Sequence, residues 1–314
     1  MSAMKKLTGL LLLSLCLVLP ACKKPEEEPV PTGTEYGPIV EEDERTDEEK
    51  QLAMIQNCIS DYNTGRISEV EDYLDTTLHP LPIGVTSLPE ISSLKDLTPE
   101  PDYMENSNVS YAGSYAIDDV HRTVFLIYEP TGGSFWLNGV ILFQVNPEEI
   151  LVDNPEFTDY RNVLSSLFAK ETKVLPWLYG LNLTLSETES SERGYYEVLS
   201  MGGMKPSSID DIKAQAEEVF TKDYLENNFY YSAFYNEHAM FKEIDGKVCC
   251  AESELTIQPS ANSYNVHYII AAEEAEDKVS LDILTNSNTG EIQPNIRRLY
   301  LAKTPEGYRL PSAY

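Results

Sequence analysis

The sequence predicts an α+β protein in which two successive units each place helices before antiparallel strands. Apolar residues recur at helical spacing after residue 46 and again after residue 157. Each helical stretch is followed by short β-branched and aromatic runs with polar breaks, as in antiparallel sheets. The body is longer than most single domains, so we expect an N-terminal domain at 46–155 and a C-terminal domain at 156–314.

The first residues have the pattern of a bacterial secretory signal. Lys5 and Lys6 precede an apolar run at residues 7–19, which is shorter than the roughly 20 residues that a membrane-spanning helix needs. Residues 1–21 are therefore expected to be a signal peptide.

The end of this signal resembles the lipobox of bacterial lipoproteins, because the chain reads Leu-Pro-Ala-Cys up to Cys22. Proline two places before the cysteine departs from the usual pattern. The resemblance implies that Cys22 becomes the first mature residue, carries fatty-acyl chains such as palmitate, and anchors the chain at the outer face of the cell membrane, since lasting attachment takes more than one chain. An ordinary cleaved signal with an incidental cysteine is the alternative.

Charge excludes one class of partner. The chain has 23 Lys and Arg against 52 Asp and Glu, and removal of residues 1–21 takes away Lys5, Lys6 and no acid, so 21 − 52 gives a net charge of −31. Such a field repels nucleic acids and anionic polymers. It favours solubility at a crowded surface, or attraction to a basic protein.

Cysteine and histidine usage predicts neither a disulfide framework nor a metal or cofactor site. Cys58, Cys249 and Cys250 remain after the signal and the lipid site are counted out, and an odd number argues against paired bridges. On a strand, Cys249 and Cys250 would be divided between core and surface, with a vicinal disulfide as the alternative. There is no CxxC or HExxH pattern, and the four histidines are scattered.

The first unit follows an acidic, proline-rich stretch at residues 22–45 that is predicted to be a disordered linker. A capping box from Thr46 to Glu49 starts a helix of about four turns, which Gly65 ends. The remaining expected elements are a short helix at 68–74, an irregular surface crossing at 78–101, and strands at 109–117, 123–129 and 135–145, the last two joined by a turn at Gly132 and Gly133.

The second unit begins with a helix from about residue 157, whose end region is marked by Pro176 and Gly180. A polar break at 186–192 precedes a strand at 195–199, and Ser208 caps a further helix. The expected strands after that helix lie at 240–244, 247–251, 254–258, 264–272, 278–285, 296–302 and 308–310. Arg297 and Arg298 are the main local excess of positive charge, and we expect them to pair with acids or protect a sheet edge.

Residues 55–74, which read IQNCISDYNTGRISEVEDYL, resemble the opening helices of NTF2-like (cystatin-like) domains. The layout of residues 195–314 is similar. The resemblance implies two NTF2-like units with helices packed on curved antiparallel sheets. Short segments at 207–212, 219–224, 244–248 and 306–310 resemble IseA-type inhibitors of DL-endopeptidases. That resemblance implies a protein that occludes wall hydrolases of the NlpC/P60 kind, and it transfers no inhibitory residue.

The densest aromatic cluster is the candidate binding surface. It is formed by Phe229, Tyr230, Tyr231, Phe234 and Tyr235, residue types favoured in interface cores and ligand pockets. Packing against the following sheet is the alternative.

No catalytic residue is predicted. The chain has no G-x-S-x-G elbow, and the Asp–Tyr pairs at 61–62, 72–73 and 223–224 are expected by chance among 52 acids and 20 tyrosines. We therefore expect a lipid-anchored extracytoplasmic binding protein without catalytic activity, with an envelope protein such as a wall hydrolase as partner. A lipoprotein that binds a small apolar ligand in an NTF2-like cone is the alternative, and a hydrolase or isomerase has least support.

Overall fold

The described part of the chain is an α+β structure of helices and antiparallel sheets, which confirms the predicted fold class at that level. The computed structural model describes residues 45–66, 80–105, 108–128, 138–252, 264–287 and 289–313. The predicted signal, the lipid site and the linker up to residue 44, the short helix at 68–74, the turn at Gly132 and Gly133, and the strand at 254–258 lie outside these residues.

Helix α1, Asp47–Thr64, forms where the capping box predicted it. The Thr46 hydroxyl accepts from the Glu49 amide at 3.2 Å, and the Glu49 carboxylate accepts from the Thr46 amide at 2.7 Å. Gly65 ends the helix with a φ of 71°, a left-handed conformation that suits glycine. The buried residues Ile55, Cys58, Ile59 and Tyr62 lie on one helical face.

Three of the five later helices were not predicted. The later helices are α2 (Pro101–Met104), α3 (Thr158–Leu178), α4 (Ile209–Glu217), α5 (Lys222–Leu225) and a π-helix at Glu226–Tyr235. The sequence predicted α3 and α4, but not α2, α5 or the π-helix. Short 3₁₀ turns lie at Leu94–Asp96, Pro147–Glu149 and Pro155–Phe157. Pro176 lies inside the last turn of α3. Proline has no amide hydrogen to donate, so the helix loses one hydrogen bond there. The Pro176 carbonyl still accepts from the Leu181 amide at 2.9 Å.

The larger sheet has eight strands in the order β1-β2-β3-β4-β11-β10-β9, with β12 beside β11. Its strands are β1 (Thr98–Pro99), β2 (Val109–Ala116), β3 (His121–Tyr128), β4 (Asn138–Val145), β9 (Tyr264–Glu274), β10 (Lys278–Asn286), β11 (Ile292–Thr304) and β12 (Gly307–Arg309). The sequence predicted strands β2, β3, β4, β9, β10 and β11. All six are present, and their ends differ from the predicted ends by a few residues.

A second sheet of four strands has the order β5-β6-β8-β7. Its strands are β5 (Leu183–Glu189), β6 (Tyr195–Met201), β7 (Phe241–Ile244) and β8 (Lys247–Ala251). Strand β5 occupies part of the stretch at 186–192 that was predicted to be a polar break. It is an edge strand with mostly exposed residues, so it lacks the apolar alternation that reveals a half-buried strand.

Strands from both predicted domains belong to the same sheet. Asn295 on β11 lies opposite Gln144 on β4, so the sheet crosses the predicted boundary between residues 155 and 156. Residues 45–314 group as one compact unit by their contacts. The division into domains at 46–155 and 156–314 stays a prediction of the sequence.

Two large apolar cores lie against the larger sheet. One joins α1 and the segment at 80–97 to β3, β4, β10 and β11. The other gathers α3, α4 and the π-helix against β6, β8, β10 and β11. Cys250 belongs to the second core and Cys249 to a small cluster on the opposite side of β8, and both are buried. The expectation that one of these cysteines would lie at the surface was therefore wrong. Both, like Cys58, are free thiols.

Candidate functional site

The predicted aromatic cluster lies on the π-helix Glu226–Tyr235. Thr221 caps the preceding α5, since its hydroxyl accepts from the Tyr224 amide at 3.3 Å. The wide turn of the π-helix is visible at its end, where the Asn236 amide donates to the Tyr231 carbonyl five residues earlier at 3.0 Å. Such helices are rare and frequently occur at functional sites.

Three of the five predicted residues belong to the core. Phe229, Tyr230 and Phe234 are buried. Phe229 contacts the Tyr179 ring edge-on with centroids 5.5 Å apart, and Phe234 contacts Tyr230 at 5.4 Å. The Tyr230 hydroxyl donates to Glu217 at 2.8 Å. Burial, and then the adjacent Glu217 carboxylate, raise the pKa of Tyr230. These three residues fix the helix on the core and have little surface to offer a partner.

The other two predicted residues are exposed. Tyr231 is 70% and Tyr235 61% accessible, and among the exposed large apolar residues of the described chain only Leu151 equals Tyr235. They are four residues apart on one helix, so they lie on the same side of it. The sequence therefore identified a cluster that the fold divides between an anchor and an exposed pair, which we call the tyrosine face (Tyr231 and Tyr235).

Lys213 on α4 holds part of this face in place. Its ammonium group lies 4.9 Å from the Tyr235 ring centroid and 5.4 Å from that of Phe234, within the range of cation–π attraction. Burial alone would lower the pKa of Lys213, but its contacts with Tyr235 and Asp210 outweigh this and raise it. An ordered tyrosine loses less side-chain entropy when a partner binds.

Exposed acidic residues are frequent on the helices that carry or adjoin the tyrosine face. The exposed acids on the same helices and the turns beside them are Asp210, Glu218, Asp223, Glu226 and Glu237. Lys213 and Lys222 are engaged with the acids Asp210 and Glu226 at 3.6 Å in each case. Exposed aromatic residues with a charged rim are typical of protein interfaces.

The predicted Asp–Tyr pairs form no common site. Tyr62 packs into the core against Phe143, whereas Asp61 pairs with Arg66 at 3.5 Å. Asp223 is exposed and Tyr224 half-buried beneath the C-terminal segment. The pair at residues 72–73 lies outside the described residues.

Two buried carboxylates were missed by the sequence reasoning. Asp282 and Glu171 are almost inaccessible among the described residues. Asp282 forms an ion pair at 2.5 Å with Arg298, one of the two arginines expected to pair with acids or to protect a sheet edge. Glu171 lies on α3 near Tyr224. Neither was detectable, because each needed knowledge of which helix or strand face turns inward.

The described residues contain no group of three His, Cys, Asp or Glu side chains that could hold a metal ion. Among the same residues, no helix is both long and apolar enough to cross a membrane. The tyrosine face offers aromatic surface, hydroxyl groups and nearby negative charge. That chemistry is suited to binding.

Comparisons with known proteins find no matching family model, no matching curated protein and no matching solved structure. The functional conclusion therefore depends on the chemistry of this chain alone.

Proposed function

We propose that this chain is a lipid-anchored extracytoplasmic binding protein that acts without catalysis and holds an envelope protein, such as a cell-wall hydrolase, on its tyrosine face. Cys22 is its lipid-attachment residue, and the outer face of the cell membrane is its location. The two NTF2-like units implied by the sequence resemblance belong to the same proposal. The observation that carries it is the exposed pair Tyr231 and Tyr235, fixed on a helix whose other aromatic residues are buried.

The energetics of interfaces support this role for the tyrosine face. A few aromatic residues usually provide most of the binding energy of an interface, and tyrosine is enriched among them. Tyr235 is held by Lys213 and by edge-on contact with the Tyr230 ring at 6.4 Å. A rigid anchor of this kind binds at a lower entropic cost than a free side chain.

The charge of the chain supports a basic partner. The mature chain would carry 21 bases and 52 acids, and several exposed acids lie on the helices that carry or adjoin the tyrosine face. Complementary fields speed encounter and select the partner, while anionic wall polymers are repelled. A basic hydrolase fits this field.

The proposal is tested with a purified NlpC/P60-type peptidase from the same organism. Binding is measured by surface plasmon resonance, and peptidase activity is measured with and without the chain. We expect saturable binding that weakens as salt is raised. Tyr231→Ala and Tyr235→Ala should each weaken it roughly tenfold to a hundredfold.

The matched control is Leu151→Ala. Leu151 is 61% exposed, like Tyr235, but lies in a separate loop after β4. It should leave binding unchanged. Equal weakening by all three variants, or no binding at low salt, would refute the role of the tyrosine face.

The anchor is tested separately by metabolic labelling with palmitate. Wild-type chain should incorporate label and fractionate with membranes, and Cys22→Ser should do neither. Unlabelled, freely secreted wild-type chain would leave the binding role possible but exclude the anchor.

A further inference from the structure

Three aromatic rings at the C-terminal end of the π-helix meet at a corner. The centroids of Tyr230 and Phe234 are 5.4 Å apart, and each of these rings lies 6.4 Å from the ring of Tyr235. The planes of the three pairs are inclined to each other by 64°, 90° and 67°. Rings stacked in parallel would share no enclosed space, whereas three steeply inclined rings form the walls of a corner.

The ammonium group of Lys213 occupies this corner. It lies 4.9 Å from the Tyr235 centroid, 5.4 Å from that of Phe234 and 5.8 Å from that of Tyr230. The carboxylate of Asp210, three residues earlier on α4, lies 3.6 Å from the same ammonium. Aromatic walls of this kind are how proteins recognise organic ammonium ions. The four residues around Lys213 therefore form a site for an ammonium group, which we call the ammonium cage (Asp210, Tyr230, Phe234 and Tyr235).

Lys213 can leave the cage without any movement of the backbone. Its side chain is 20% exposed and that of Asp210 is 89% exposed, so the ammonium lies near the surface. Exposed ion pairs and exposed cation–π contacts are individually weak. A lysine ammonium is compact and is carried on a flexible four-carbon stem, so it can turn into solvent while α4 stays in place. The space that it vacates has the size of another ammonium group.

The ammonium cage adjoins the tyrosine face through a shared residue. Tyr235 belongs to both, and it is 61% exposed. Tyr230 and Phe234, which are 2% and 9% exposed, are the buried part of the cage. A partner that packs on Tyr231 and Tyr235 therefore contacts the wall of the cage, and a long side chain of that partner can reach the corner.

Charge favours a cation in the cage. The mature chain would carry 21 bases and 52 acids, and the exposed acids Glu218 and Glu226 lie on the same group of helices. Such a field attracts a basic partner and repels an anion. A compact ammonium suits a corner with three walls, as Lys213 itself shows, whereas the planar guanidinium of arginine stacks on the face of a single ring.

We propose that a lysine side chain of the basic partner displaces Lys213 and places its own ammonium group in the ammonium cage. This inference rests on the proposed function, because it names the chemistry by which the partner of the tyrosine face is recognised. In the free chain, Lys213 fills the cage and keeps Tyr235 ordered. Removal of Lys213 should therefore strengthen the binding of a cation, which is the reverse of what the loss of a purely structural contact does.

NMR of the lysine side chains tests the displacement directly. The full-length chain, labelled with ¹³C-lysine and kept in mild detergent, is titrated with the peptide acetyl-Gly-Lys-Gly-amide. Ring currents from three nearby rings set the ε-methylene signal of Lys213 apart from those of exposed lysines, and Lys213→Ala assigns it. We expect this signal to move saturably to the position of an exposed lysine. Half-saturation should be on the order of millimolar, because the tethered Lys213 competes at an effective concentration of that order.

Variants of Lys213 test the sign of the effect. Lys213→Ala should bind the peptide about threefold to tenfold more tightly, because the cage is then always open, and Tyr235→Ala should abolish binding. Lys213→Met removes the same charge but keeps a chain that fills the corner, so it should gain less than Lys213→Ala. The matched control is Lys170→Ala, since Lys170 pairs with Glu218 at 2.8 Å at the C-terminal end of α4. It should leave peptide binding unchanged.

Two further probes define the ligand. The same peptide with an ε-acetylated lysine has no charge, and it should bind at least about tenfold more weakly. Tetramethylammonium represents a small free ligand. If it displaces Lys213 while the lysine peptide does not, the cage serves a small quaternary ammonium ion and the proposed lysine of a partner is refuted.

Other outcomes would also overturn the proposal. They are a Lys213 signal that stays in place, equal binding of the acetylated peptide, or peptide binding that Lys213→Ala weakens or leaves unchanged. Circular dichroism confirms that each variant is folded, and if Lys213→Ala does not fold, the displacement in wild type decides, with Lys213→Met for assignment. A chain that binds the peptidase on its tyrosine face but keeps Lys213 in place would refute the cage and leave the proposed function standing.

Discussion

Two buried polar groups on the same face of the larger sheet differ in how completely their hydrogen bonds are satisfied. The first consists of Asp282 on β10 and Arg298 on β11, which are directly paired. The second consists of Tyr115, His121 and Thr123 on β2 and β3, and each of these has a buried polar atom without a hydrogen-bond partner in the described part of the chain. Leu284 and Ile296, the neighbours of the first group on its own face, pack in the same core beneath α1 as the neighbours of the second.

The first group has a full set of partners. Arg298 donates to Asp282 and, at 2.7 Å, to the Leu81 carbonyl, and the Ile83 amide donates to Asp282 at 2.6 Å. It clamps the segment at 80–97 onto strands that lie some two hundred residues later in the chain. A satisfied buried network specifies and rigidifies a structure, whereas an unpaired buried polar group costs free energy.

The largest effect should come from breaking the satisfied group. Arg298→Leu would leave the Asp282 carboxylate buried without its counter-charge, and Asp282 is 1% exposed. We expect the free energy of unfolding to fall by about 3–5 kcal/mol. Urea denaturation followed by circular dichroism measures this.

The double variant Asp282→Leu/Arg298→Leu sharpens the result. Replacing both members of a buried ion pair by apolar residues is often far less damaging than removing one. It should recover part of the lost stability. The recovery should be incomplete, because the double variant also lacks the hydrogen bonds with the Leu81 carbonyl and the Ile83 amide. A double variant that is the sum of two large single losses would contradict a coupled pair.

A smaller loss of stability is expected when a hydroxyl that has a hydrogen-bond partner is removed from β2, the strand that also bears Tyr115. Ser114 on β2 is buried and donates to Glu100 at 2.5 Å, and Arg122 donates to the same carboxylate oxygen. Hydrogen bonds to charged groups contribute about 1.5–3 kcal/mol, so Ser114→Ala should lower stability by the lower end of that range. An unchanged urea midpoint would mean that solvent replaces the bond.

The sequence predicted local features of this comparison well. The capping box of Thr46 and Glu49 and the helical stop at Gly65 depend on neighbours within a few residues, and both are present. For Arg297 and Arg298 the sequence left two alternatives, pairing with acids or protecting a sheet edge, and Arg298 takes the first. The sequence could not name Asp282, because that choice depends on the register of β10 and β11 and on a shift in that register after Leu284.

The tyrosine face was only half predictable, for a reason of helix geometry. An α-helix advances 3.6 residues per turn, and a π-helix with its i→i+5 bonds is wider. The same aromatic run therefore turns different residues toward the core in the two helices. The run is rich in aromatic residues throughout, so composition alone could not separate Phe229, Tyr230 and Phe234 from Tyr231 and Tyr235.

The opposite sign is expected where a hydroxyl has no partner. Thr123→Val replaces the unpartnered hydroxyl by a methyl group of similar shape. It should raise the free energy of unfolding by about 0.5–1 kcal/mol, because a buried unsatisfied group is removed. Thermal melts of wild type, Thr123→Val and Ser114→Ala in parallel give the contrast, with midpoints moving up for the first variant and down for the second. A lower midpoint for Thr123→Val would mean that the hydroxyl is satisfied after all.

The smallest effect concerns pH and the group that orients His121. Burial works to raise the pKa of Asp118, but hydrogen bonds from the His121 ring and from the His121 and Val120 amides outweigh it and lower the pKa below 3.8. A carboxylate with a depressed folded pKa stabilises the folded state above its unfolded pKa and loses that contribution as pH falls through the folded value. Asp118→Asn should therefore be less stable than wild type near neutral pH, with the gap closing below about pH 4.

Asp119→Asn is the matched control for this pH effect, since Asp119 is the next residue and is exposed. Urea denaturation of both variants across the acid range makes the comparison. If the difference in stability between wild type and Asp118→Asn persists unchanged at low pH, the Asp118 side chain stabilises the fold through its shape and not through its charge. A gap that closes would tie its charge to the orientation of His121.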